Sequence, residues 1–79
     1  MSPTVFKAEG FRFYFLSREE DRLHIHVQAS KGEAKFWLEP KVELAKNHGL
    51  SKHDLNKALR LIKEHEHEIR SSWKEHFRR

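Results

Sequence analysis

Residues 23–38, LHIHVQASKGEAKFWL, alternate apolar and polar side chains in two successive runs, and this pattern limits the fold more than any other feature of the chain. Leu23, Ile25 and Val27 alternate with His24, His26 and Gln28; then Ala34, Phe36 and Leu38 alternate with Glu33, Lys35 and Trp37. A period of two belongs to a strand with one buried face. Closing the two arms around Lys31-Gly32 pairs Val27 with Phe36 and Ile25 with Leu38, which sets His26 beside Trp37 and Gln28 beside Lys35. A slip of one residue would drive histidines into the phenylalanine layer, so the pattern decides which side chains share a face even where the loop length varies.

A second hairpin precedes the first. Residues 4–8 and 11–16 flank Glu9-Gly10, where glycine permits the positive φ of a tight turn. This turn puts Phe6 opposite Phe13, Ala8 opposite Phe11 and Thr4 opposite Phe15, and sends Val5, Lys7, Arg12 and Tyr14 to the other side. The charged run SREEDR, residues 17–22, suits the return into the histidine-bearing strand over 23–29, which pairs with 33–38. Glu39-Pro40 then ends the ladder, because proline has no amide hydrogen and restricts its predecessor. Residues 42–45 form a fifth short strand or an extended segment, and KNHG at 46–49 reads as a turn.

Ser51 is a good N-cap, with Asp54 in the capping-box position. Leu55, Leu59, Ile62, Ile69, Trp73 and Phe77, with Ala58 at a close-approach position, form the stripe of a helix over 52–77. At 1.5 Å per residue such a helix is roughly 39 Å long, so its end overhangs a strand of about six residues. The stripe skips a turn at His65-Glu66. The expected fold is α+β: a four- or five-stranded antiparallel meander with one long C-terminal helix packed on one face, residues 1–79 making a single domain.

Composition narrows the chemistry. The chain has 79 residues, near the size where a core is only just sufficient and a dimer or partner protein helps. It has no cysteine, so disulfides and thiolate metal sites are excluded. No cofactor is expected. The lack of a signal peptide or long apolar run points to the cytoplasm and away from membranes. Sixteen basic residues against twelve acidic ones leave a net charge of +4, a mild lean toward polyanions.

The order PTV, FRFYF, HIH, GEAKFWL, VELAKNHGLS and LIKEHEHEIRSSWKEHF resembles the small bacterial proteins grouped as domain of unknown function 4160. Its most specific marks are His24 and His26, the EAKFWL run from Glu33, and Trp73. Where that family often carries two prolines before the first histidine, this chain has Arg22-Leu23. The resemblance implies a compact α+β unit associated with toxin–antitoxin-like gene pairs. It brings no assigned catalytic residue.

Function must therefore be sought on the polar sheet face. In a meander of this order, Tyr14 neighbours His24, and Arg12 neighbours His26. Arg12, Tyr14, His24, His26, Lys35 and Trp37 make a candidate binding surface, on which bases of single-stranded RNA or DNA stack on the rings and phosphates meet the cations. The same His24 and His26, two apart on one strand face, are candidate metal ligands. With Arg12 or Lys35 they are also candidates for metal-free phosphodiester cleavage. A third reading, which the resemblance makes the leading one, buries the face against a second copy or another protein, making the chain a non-enzymatic interaction module of a two-protein, toxin–antitoxin-like system.

Overall fold

The computed structural model describes residues 4–16 and 22–76. They form five strands and two helices: β1 (Thr4–Ala8), β2 (Phe11–Tyr14), β3 (His24–Ala29), β4 (Gly32–Trp37), β5 (Glu43–His48), α1 (Lys52–Glu64) and α2 (Glu66–His76). The sheet is an antiparallel meander in the order β1-β2-β3-β4-β5. No helix is long and apolar enough to cross a membrane among the described residues.

The alternation places side chains as expected. Phe11, Phe13, Ile25, Val27, Ala34 and Phe36 are buried together from the strands, and Leu50, Ala58, Leu61, Ile62 and Ile69 close over them. Each of the larger side chains among them contributes roughly 1.5–3 kcal/mol when fully buried. Leu61, outside the sequence-derived stripe, is part of this layer, while Leu55, Leu59 and Trp73 are only partly buried at its border. Phe77 lies outside the described residues, as does most of the SREEDR run.

In the central hairpin pairing departs from expectation by two residues, with the faces preserved. The central hairpin turns at Ser30-Lys31, so Ile25 pairs with Phe36, Val27 with Ala34, His24 with Trp37, His26 with Lys35 and Gln28 with Glu33. Across β2 and β3, Tyr14 meets His26 and Arg12 meets Gln28. In the first hairpin Phe6 pairs with Phe13 and Ala8 with Phe11 as expected, but Thr4 faces Tyr14, because a bulge at residue 5 interrupts the ladder. The bulge turns Val5 toward the core rather than away from it.

The KNHG segment is not a turn as a whole. β5 runs on through Lys46, Asn47 and His48, and only Gly49, at φ 94°, leaves the strand. Asn47 explains the extension: its side-chain carbonyl accepts from the Leu50 amide at 3.0 Å and its amide donates to the Leu50 carbonyl at 3.0 Å, so it braces the strand end from outside the ladder.

The single long helix is likewise corrected to two. His65 separates them with φ −109° and ψ 18°. Its ring is stacked on Phe6 at 4.0 Å, and its Nδ1 donates to the Leu61 carbonyl at 2.9 Å. That side-chain donor competes for a carbonyl at the helix end, and the ring contact holds the break against β1. The gap read in the apolar stripe is this junction.

Gly32 is where strand and loop approach most closely. A β-carbon there would overlap the His48 carbonyl oxygen and sit 2.9 Å from the Gly49 α-carbon. Gly32→Ala is therefore expected to lose about 2 kcal/mol or more of stability, lowering the melting temperature by roughly 10 °C. Gly10→Ala, with nothing within 4 Å of the new methyl, meets only its positive φ of 86° and has the smaller effect. Calorimetry of the two variants checks the ranking.

Candidate functional site

On the outer face of β2 to β5, which α2 reaches through Trp73 beside His24, the register arranges side chains in rows. One row runs Thr4, Tyr14, His26, Lys35, Lys46 across all five strands; the next runs Lys7, Arg12, Gln28, Glu33, His48. Below the first lie His24, Trp37 and Glu43. A second bulge, at residue 45, puts Lys46 and His48 on the same face as Glu43 despite their odd and even numbers. That shift is not readable from a period-two pattern, and it is why His48 belongs to the site.

The aromatic rings of this face are already engaged. Arg12 lies over Tyr14 with its guanidinium carbon 4.5 Å from the ring centroid, and Tyr14 stacks on His26 at 5.3 Å. Trp37 carries Arg22 at 4.1 Å and Lys35 at 4.6 Å. Each such cation–π contact contributes about 0.5–1 kcal/mol at an exposed site. More importantly, each fixes where a positive charge stands. Arg12 is held further by donating to Thr4 Oγ1 at 2.7 Å and to Gln28 Oε1 at 3.3 Å, and Arg22 by donating to the Glu39 carbonyl at 2.8 Å.

Of the candidates read from the sequence, the structure brings His24 and His26 within 5.2 Å, ring to ring, but gives them different surroundings. His24 is fully buried, walled by Trp37 at 5.8 Å and Trp73 at 5.1 Å, so it is closed to a substrate. Its Nδ1 lies 2.6 Å from the Arg22 carbonyl; a carbonyl only accepts, so that nitrogen carries the proton. Tyr14 exposes only 7% of its surface and offers no open plane to a base. His26, Lys35 and Trp37 are half-buried, and Arg12 is also partly accessible. Among the described residues no three His, Asp or Glu side chains gather in a metal-binding arrangement.

Between the two long rows the face sinks into a cleft of about 360 Å³ lined by Tyr14, Leu16, His26, Glu33, Ala34, Lys35, Lys46 and His48. Tyr14 and Glu33 share this cleft. Burial first, and the Glu33 carboxylate second, hold the Tyr14 phenol above its ordinary value, while Arg12 pulls it partly back. Lys7, Arg12, Arg22, Lys35 and Lys46 bring positive charge to the face against the carboxylates of Glu33 and Glu43. Among the described residues the excess of positive charge is thus concentrated on one side of the sheet.

A five-stranded meander backed by two helices, with its basic outer face left open, defines a small α+β domain. The chain matches the family described as Domain of unknown function (DUF4160) over residues 10–74, and it belongs to that family. Neither the curated proteins nor the solved structures provide a match.

Tyr14 is the sole tyrosine of the chain, so its phenolate absorbance can be followed directly. The midpoint is expected above the ordinary value of about 10, lower in Glu33→Gln yet still raised, because burial remains. A phenol whose folded value is raised supports the fold fully below pH 10 or so and loses that support as pH climbs through the folded value. Stability should therefore begin to fall near pH 10, and a midpoint at or below the ordinary value in the folded protein would contradict the assignment.

Proposed function

We propose that the open sheet face binds the backbone of a single-stranded nucleic acid, gripping phosphates rather than stacking bases. The observation that carries this reading is the fixed array of cations, Arg12 over Tyr14 and Arg22 and Lys35 over Trp37, beside the exposed Lys46. A base seated on Trp37 would displace a cation held there, and Tyr14 has no open plane, so the usual 1–3 kcal/mol per stacked base is not freely gained. Phosphates need no such displacement. They meet guanidinium and ammonium groups whose positions are already set, which lowers the entropy lost on binding.

A second reading keeps the face and changes the partner. Leu44, 43% exposed on the edge strand β5, is the one large exposed hydrophobic side chain among the described residues. It favours a protein partner that adds contacts at that edge, as in a two-protein, toxin–antitoxin-like system. A partner of this kind is acidic, and Leu44→Asp weakens its binding.

Fluorescence anisotropy with a labelled mixed-sequence single-stranded oligonucleotide of about twelve nucleotides separates the two. With roughly four phosphate contacts the logarithm of affinity should fall against the logarithm of salt with a slope of about −3. The double variant Lys35→Ala, Lys46→Ala should reduce that slope to about −1.4 and weaken binding at low salt at least tenfold. Binding with no salt dependence, or none at low salt, contradicts the proposal and favours the protein partner.

A further inference from the structure

We infer that the cleft between the two rows is a metal-free acid–base site for cleaving RNA, with His26 and His48 as its proton-transfer pair. This rests on the nucleic-acid reading and adds the substrate class and the reaction. The two histidines stand on β3 and β5, two strands and one row apart, and line the same cleft; the Nε2 of His26 is buried, so its Nδ1 is the atom that exchanges a proton there. By sheet spacing their α-carbons are roughly 12 Å apart. Side chains that stand off the same face from such positions can reach the two ends of a line through one phosphorus atom. In-line displacement needs that arrangement, an acceptor of protons at one end and a donor at the other.

Lys35 and Lys46 belong to the row that includes His26 and lie on the strands between and beside the histidines. They provide the positive charge that a phosphorane-like transition state gathers on its equatorial oxygens. Glu33 pairs directly with His48 across the ladder and lines the same cleft, so it serves as the positioning residue of that imidazole. His24, the other histidine of the strand, is sealed behind Trp37 and Trp73 and takes no part.

The step balances without any further reactant. One imidazole, neutral, takes the proton of the ribose 2′-hydroxyl as its oxygen forms a bond to phosphorus. The P–O5′ bond breaks with its electron pair on the 5′-oxygen, and the other imidazole, protonated, gives that oxygen its proton. The products are a 2′,3′-cyclic phosphate and a 5′-hydroxyl end. DNA, lacking the 2′-hydroxyl, is bound and left intact.

The test is a single-turnover assay with protein in saturating excess over a labelled single-stranded RNA, without divalent metal, with anisotropy read in the same samples. The expected result is cleavage to 2′,3′-cyclic phosphate ends, no cleavage of the matching DNA, and a rate at least about 100-fold lower for His48→Gln. His48 is exposed at the sheet edge, so this variant should fold; His26→Gln should show a similar loss, with its fold checked by amide spectra. Lys52→Ala, at the start of α1 and away from the cleft, should cleave at the original rate. RNA that is bound but stays intact overturns the cleavage inference alone, as does His48→Gln cutting at the rate of the unmodified protein. RNA that is not bound overturns the underlying reading as well.

Discussion

Burial of one sheet face under α1 and α2 is the interaction on which the rest of the molecule depends. Phe13, Ile25, Val27 and Phe36 reach essentially zero exposure beneath Ala58, Ile62 and Ile69. Because neighbouring side chains in a strand point to opposite faces, driving those rings inward obliges Tyr14, His26, Lys35 and their neighbours to point outward. The charged face is a consequence of the core. Surface ion pairs such as Arg60 with Glu9, each half exposed, add little and serve mainly to tie the first turn to α1.

On the outward face, cations and rings settle one another. Placing Arg12 over Tyr14 and Arg22 and Lys35 over Trp37 covers aromatic surface that would otherwise be exposed to water and fixes long, flexible side chains in one arrangement. A ligand that prefers fixed charge gains from this, and a ligand that needs bare rings does not. The same logic separates the histidines: His24, deep between two tryptophans, is a packing residue, whereas the half-buried His26 and the exposed His48 line the cleft.

The sorting of side chains between faces was legible in the sequence because the period of two admits only one assignment of phenylalanines and histidines. Register was not, since moving the turn from Lys31-Gly32 to Ser30-Lys31 changes every partner while leaving every face unaltered. The deciding contact is tertiary: Gly32 must lie against His48 and Gly49, which makes it part of a strand. The place of His48 in a strand of this face was hidden for a related reason. Asn47, a usual turn former, here uses its side chain to hold Leu50, and the bulge at residue 45 reverses the parity of residues 46–48. The stripe gap at His65 was visible, but only the stacking partner Phe6 from β1 shows that it divides the helix.

The central claim is that the outer face of the sheet, through its cations, is the surface a nucleic-acid backbone meets. Two-dimensional amide spectra of the labelled protein, recorded during addition of a short single-stranded RNA at low and then high salt, test it most directly. The account predicts saturable shifts concentrated at Arg12, His26, Lys35, Lys46 and His48 that retreat when salt is added. Shifts confined to α1 and α2, or shifts indifferent to salt, would contradict it.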